Sequence, residues 1–186
     1  MCGIVGIVSS SPVNQQVYDA LALLQHRGQD STGIATSDES TLHIHKSKGQ
    51  VREGYRTRDM RALLGTIGLG HVRYATRGNT KKEQEAQPFY VNAPYGIVLV
   101  HNGNLTNTRE LAQELADRDR RHLNTTSHTE MLVNVLASEL QSADSSTSFT
   151  PETAFAAVRA VAARVAGTHA AFRVILGHGV LPFPLP

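Results

Sequence analysis

A cysteine stands second in the chain, directly after Met1, and it is the single cysteine among 186 residues. Once Met1 is removed, its thiol shares one residue with a free α-amine. Such an amine titrates at about pH 8, so it can draw a proton from its own side chain, and a thiol is already a few per cent ionised near neutrality. That pairing suits acyl transfer. The same residue also reads as a small apolar side chain opening a buried strand. Three further segments set polar residues at the end of an apolar strand or the entry to a helix: His71-Val72-Arg73-Tyr74-Ala75-Thr76, His101-Asn102-Gly103-Asn104 and Thr125-Thr126-Ser127-His128-Thr129-Glu130. Each has a plain reading when taken alone. Arg73 reads as a surface ion-pair partner, Asn102-Gly103 as a hairpin turn, and Thr76 carries no signal. His71 and His101 read as strand-end residues with satisfied hydrogen bonds, because an N-terminal amine makes a catalytic histidine unnecessary.

These residues need strands and helices to bring them together. Residues 3–8 form a short apolar run with glycines, read as a buried strand. Ser11 followed by Pro12 reads as an N-cap and first helical position, and Val13, Val17, Leu21 and Leu24 follow at helical spacing, giving a helix over 12–25. Residues 25–32 read as a loop. Strands are expected at 32–37, 41–46 and 67–73, then an irregular stretch over 74–90 of the length that binding loops have. Ile97 to His101 reads as a second buried strand that ends at Asn102-Gly103-Asn104. Asn107 with Glu110, and Ser127 with Glu130, match the capping-box spacing for helices over 107–120 and 127–140. Residues 142–150 read as a serine-rich linker. Thr150-Pro151 opens a helix to about 166 with Phe155, Val158, Val161 and Val165 inward, and two strands follow near 169–176 and 179–183 with Gly177-His178-Gly179 as their turn. Strands and helices without regular alternation argue for α+β.

Composition excludes several classes. Hydrophobic residues make up 40% and charged residues 18%, with a net charge of +2, so no strong field for nucleic acid or membrane is implied. The clusters Arg56–Arg61 and Arg118–Arg121 are interleaved with Asp59, Asp117 and Asp119 and read as solvated faces. One cysteine excludes an internal disulfide or a multi-cysteine metal site. The absence of a signal-like segment or an 18-residue apolar run points to a cytoplasmic protein.

Four words in order, together with Cys2, carry a resemblance: Leu24-Gln25-His26-Arg27-Gly28-Gln29-Asp30-Ser31, Gly70-His71-Val72-Arg73-Tyr74, Ala86-Gln87-Pro88-Phe89-Tyr90-Val91-Asn92 and His101-Asn102-Gly103-Asn104-Leu105-Thr106-Asn107. The chain resembles the class II glutamine amidotransferases, N-terminal nucleophile hydrolases, and among them the glutaminase domain of the amidophosphoribosyltransferase family. The match runs from residue 2 to about 180. It implies a four-layer αββα sandwich of two mainly antiparallel sheets between helices, incomplete at the C-terminus. It also implies that Cys2 attacks the glutamine side-chain amide with its own amine as base, forms a thioester and releases ammonia. The Asn102 amide and Gly103 N–H would then hold the oxyanion, a role whose loss costs about 10²–10³ in rate. Arg73 would hold the substrate carboxylate through a guanidinium fork. Thr76 would donate a hydroxyl to the same site, and Arg27 would shape the pocket. The implied partners are glutamine and, through a separate domain, phosphoribosyl pyrophosphate with magnesium; this chain is expected to need no cofactor or metal of its own, and to be homo-oligomeric when full length.

Two departures from the family pattern stand out. Where the family has Asp to meet the substrate ammonium, this chain has His128. Losing one partner of a desolvated charge pair costs about 2–5 kcal/mol, so weak use of glutamine is expected. The expected domain spans 2–181, with an atypical proline-alternating tail over 182–186 and no phosphoribosyltransferase domain, which would leave a sheet edge exposed. Two other readings stay open: an N-terminal nucleophile amidase with another substrate, and a catalytically impaired truncated remnant.

Overall fold

The computed structural model describes residues 1–38, 41–74, 83–143 and 149–176. Strands β1 (Gly3–Val8), β2 (Ser31–Ser37), β3 (Leu42–Lys48) and β4 (Ile67–Arg73) form an antiparallel sheet in the order β1-β4-β2-β3. Strands β5 (Phe89–Val91), β6 (Ile97–Leu105) and β7 (Gly167–Ile175) form a second antiparallel sheet in the order β5-β6-β7. The α-helices among the described residues are α1 (Asn14–Leu23), two short helices α2 (Val51–Gly54) and α3 (Thr57–Ala62), and then α4 (Thr108–Asp117), α5 (His128–Ala143) and α6 (Pro151–Arg164).

The layering follows from strand alternation, in which successive side chains face opposite ways. On β6, Val98 and Val100 point inward and meet Ile67, Leu69 and Val174 between the two sheets. Ile97 and Leu99 point outward and pack under Leu132, Leu136 and Leu140 of α5. On the first sheet, Ile34 and Val72 point outward under Val13, Val17 and Leu21. The result is helix, sheet, sheet, helix: the four-layer αββα sandwich expected from the resemblance, and an α+β fold. No helix among the described residues is long and apolar enough to cross a membrane.

Several elements differ from their sequence readings. β1 is an edge strand rather than a buried one, with Val8 57% exposed, because β4 is its one partner among the described residues. Helix α1 starts two residues later than the Ser11-Pro12 pattern suggests, with Val13 at its N-cap. Asn107 does occupy the N-cap of α4 but forms no capping box. Its amide instead donates to the Arg164 carbonyl at 2.8 Å and accepts from the Ala166 N–H at 2.9 Å, tying α4 to the end of α6. Thr150 caps α6 through the Thr153 N–H as expected, but Phe155 is 51% exposed while Ala154, Ala157 and Val161 face the core. Asp119 is not on a solvated face: its side chain is 4% exposed and paired with Arg164 at 2.8 Å. Residues 177–183, with their expected turn and strand, the tail over 182–186, and most of the 142–150 linker lie outside the described residues.

Candidate active site

Cys2 sits at the head of β1. Gly3 pairs with Val72, so Cys2 lies beside Arg73, where β4 leaves the sheet. The Arg27 Nε donates to the Cys2 carbonyl at 3.1 Å, and the Asp30 N–H donates to the Arg73 carbonyl at 3.0 Å. The Gln25-to-Asp30 segment, a 3₁₀ turn over Leu24–Arg27 followed by a short loop, therefore underpins both residues. The Cys2 Sγ is 3.8 Å from the Tyr74 carbonyl, a weak thiol donor contact.

β6 supplies the facing wall, and it does so as a strand rather than as a turn. Asn102, Gly103 and Asn104 continue the ladder opposite Ala170, His169 and Thr168. The hairpin reading of Asn102-Gly103 is thus corrected: a two-residue turn signal is overridden by nine residues of pairing along β7. A Cβ at 103 would stand 2.6 Å from the His169 Cα, so the neighbouring strand itself demands glycine. This is the geometry of a non-hydrogen-bonded antiparallel pair, where the two backbones come closest.

The same alternation fixes where the backbone donors point. The Leu176 N–H bonds to the Gly96 carbonyl and the Thr106 N–H to the Ala166 carbonyl, so even-numbered residues of this stretch pair with β7. Odd-numbered residues turn their N–H groups the other way, toward β5 at Leu99 and beyond its end at 101, 103 and 105. The His101 N–H donates to the Gln87 Oε1 at 2.6 Å, and the Leu105 N–H donates to the His128 Nδ1 at 3.1 Å. Between them the Gly103 N–H faces the cleft. The Asn102 side chain shares the inward face of Val98 and Val100, toward the sheet that carries Cys2.

Two adjoining cavities, of about 950 Å³ and about 420 Å³, share Cys2, Tyr74, Gly103, Asn104, Thr108 and His128 as lining. The larger also holds Met1 and Asn102, and the smaller holds Arg73. One cleft thus brings together Cys2, Arg73, Asn102, Gly103 and His128. Arg27 stands behind it, and Thr76 lies outside the described residues.

Two lining residues, Glu85 and Arg109, carry no sequence signal of their own, and Gln87 is legible only as part of a longer matching word. The Arg73 Nη2 donates to the Glu85 Oε2 at 2.6 Å, with side chains 13% and 5% exposed. The ion pair anticipated for Arg73 exists, but it is buried in the cleft rather than on the surface. Gln87 clasps β6, and Arg109 borders the smaller cavity from the first turn of α4. Nothing local shows what Glu85 and Gln87 bind, because their partners lie 12 and 14 positions away. Glu130 does reach back along the start of α5, but past the capping-box target, accepting from the Asn124 and Thr125 N–H groups at 2.8 and 2.7 Å. It thereby holds the turn that leads into His128.

His71 and His101 are buried at 0% and 3% exposure; the His101 Nε2 makes no hydrogen bond of good geometry with the described residues, and the His71 ring has only the His101 backbone close by, too poorly aligned for a full bond. Their expected satisfaction is therefore corrected. Burial, with the neighbouring His101, pushes His71 down to about 3, and burial, with His169 and His128 nearby, pushes His101 down to about 4. Both values lie below the unfolded value of 6.5, so the unfolded chain binds more protons between them. This contribution to stability is complete above pH 6.5 and is lost as the pH falls toward about 4 for His101 and about 3 for His71, by at most about 1.4 kcal/mol per histidine per unit. Urea midpoints are expected to fall from pH 7.5 to pH 5, and His71→Met, which cannot take a proton, to flatten that slope.

A family model for the glutamine amidotransferase domain matches residues 71–168. The chain is 51% identical over 186 residues to the amidophosphoribosyltransferase of Pseudomonas aeruginosa, covering all of this chain and 37% of that protein. It is 49% identical over 189 residues to the amidophosphoribosyltransferase of Escherichia coli K12, with the same coverage of each. The solved glutamine phosphoribosylpyrophosphate amidotransferase from B. subtilis, complexed with ADP and GMP, aligns with a TM-score of 0.74 at 28% identity, covering 94% of this chain and 35% of that one. The chain thus spans 37% of the length of these two curated relatives. The matched stretch takes in the end of β4, the open edge of β6 and the start of α5, the elements that wall the cleft around Cys2, and by that match the chain belongs to the glutamine amidotransferase domain family.

Proposed function

We propose that the chain hydrolyses glutamine to glutamate and ammonia, and that the ammonia is meant for phosphoribosyl pyrophosphate held by a phosphoribosyltransferase domain, the first step of purine biosynthesis. The observation that carries this reading is the convergence of Cys2, Arg73 and the Asn102–Gly103 edge on one cleft. Removal of the exposed Met1 frees the α-amine of Cys2, which takes the thiol proton as sulfur attacks the amide carbon. The Asn102 amide and the Gly103 N–H stabilise the tetrahedral oxyanion. The amine returns the proton to the departing nitrogen, ammonia leaves, and a thioester remains. Water, deprotonated by the same amine, then releases glutamate. Arg73 holds the α-carboxylate, with Thr76 as a hydroxyl donor and Arg27 fixing the Cys2 backbone.

The reaction runs in the cytoplasm in this reading, and the assembled enzyme is a homo-oligomer. Magnesium belongs with the phosphoribosyl pyrophosphate end; among the described residues no group of three or more His, Cys, Asp or Glu side chains is arranged to hold a metal ion. A second reading, hydrolysis of an amide without an α-ammonium, is favoured by one observation. Glu85 is the one acidic residue among the described lining of the two cavities, and it is already paired with Arg73.

Treatment with a glutamine-analogue diazoketone, followed by peptide mass spectrometry, tests the main reading. The expected adduct is on Cys2 with Met1 absent, and glutamine is expected to protect against it. Labelling elsewhere, or a Cys2 still blocked by Met1, would overturn it for this form of the chain.

A further inference from the structure

We propose that Gln87 is a positioning residue for the oxyanion site: its side-chain amide takes the place of strand β5 at His101 and so holds the Gly103 N–H open to the cleft. The proposal rests on the glutaminase reading for its catalytic consequence, though not for its geometry. β5 pairs with β6 at Phe89–Leu99 and Val91–Ile97 and goes no further along it. The next outward-facing residue of β6 is His101, and Gln87 satisfies both of its backbone groups. The His101 N–H donates to Oε1 at 2.6 Å, and Nε2 donates to the His101 carbonyl at 3.1 Å. A primary amide reproduces the donor–acceptor pair of a strand residue without adding a strand.

The economy of this device matters. Had β5 extended its ladder by four residues, it would have bonded the Gly103 N–H and buried it. A side chain ends the pairing after one residue. On the far side the His128 Nδ1 takes the Leu105 N–H, so Gly103 stands between two clasped positions. Gln87 is itself held rigidly. It is 6% exposed, and its backbone lies so close to β2 that a Cβ on Gly33 would run into the Gln87 carbonyl. A donor aimed by such a rigid frame stabilises developing charge without reorganising, and a displacement of about 1 Å can cost about 10²-fold in rate.

The experiment has two arms on the full chain. Amide hydrogen exchange of the unliganded protein is expected to show His101 and Leu105 protected and Gly103 exchanging faster than both, with His101 protection lost in Gln87→Leu. In the kinetic arm, Gln87→Leu is expected to lower kcat for glutamine by about 10²-fold with KM nearly unchanged. Gln87→Glu, which keeps the acceptor but sets a carboxylate against the His101 carbonyl, is expected to do likewise. A Gly103 N–H as protected as its neighbours in the parent chain would overturn the proposal even if no variant folds. A folded Gln87→Leu with parental kcat would overturn it too. If the parent shows the exchange pattern but no glutamine hydrolysis, the glutaminase reading falls and the assignment of Gln87 to the strand edge stands.

Discussion

Cys2→Ala is expected to abolish glutamine hydrolysis, a loss on the order of 10⁴–10⁶-fold, while leaving the fold intact. The size follows from the role. A nucleophile that forms the thioester has no substitute in the cleft, and the chain holds no second cysteine. The fold should survive because Cys2 is only partly buried and its sulfur makes one weak contact, 3.8 Å from the Tyr74 carbonyl. A chain that keeps Met1 should be equally inactive for a different reason: the base is then a peptide nitrogen, which cannot accept the proton, and Met1 itself lines the cavity. Glutamate release and urea midpoints, measured on the parent, Cys2→Ala and a Met1-retaining form, separate these cases. Residual hydrolysis in a correctly folded Cys2→Ala protein would sink the mechanism.

His128→Asp is expected to lower the KM for glutamine by about 30-fold or more, the effect of restoring one partner to a desolvated charge pair. His128 is the first residue of α5, and its Nδ1 lone pair is committed to the Leu105 N–H. In that arrangement the ring offers the ammonium of glutamine no negative charge, and the charge of Glu85 is already balanced by Arg73 at 2.6 Å in the unliganded cleft. An aspartate at the same position can still accept from Leu105, and a negative charge on the first turn of a helix is favoured by about 0.3–1 kcal/mol. The substitution should therefore improve binding without loss of stability. The gain should vanish with glutaric acid monoamide, which has the same amide and carboxylate but no ammonium. An unchanged KM for glutamine would mean that the α-ammonium is met elsewhere or that glutamine is not the substrate.

Much of the framework was legible along the chain because the signals are local. The strand expected over 41–46 marked β3, the proline after Thr150 marked the start of α6, and Val17 and Leu21 marked the buried stripe of α1. Local signals failed where a distant partner competed for the same group. Asn102-Gly103 has the composition of a turn, but β7 offers those residues a ladder. Asn107 and Glu110 have capping-box spacing, but the end of α6 offers Asn107 better-placed backbone partners. Phe155 fits a helical apolar stripe, yet the face of α6 that joins the core with α5 carries Ala157 and Val161. The short helices α2 and α3 carry little periodicity. α2 is held by tertiary contact, the Val51 N–H donating to the Gln25 side chain at 2.7 Å.

By itself, the amino-acid order determined which groups are available for chemistry: one thiol beside one potential amine, an arginine at the end of a strand, an asparagine–glycine pair, and a histidine where the resemblance implies an aspartate. Only the tertiary structure decided what those groups face. Strand pairing has a two-residue period, so whether the Gly103 N–H points into a neighbouring strand or into a cleft depends on the register with β7 and on where β5 stops. Neither is a property of the residues around 103. It depends on a glutamine and a histidine, 16 positions before and 25 after it in number, which take the backbone groups on either side.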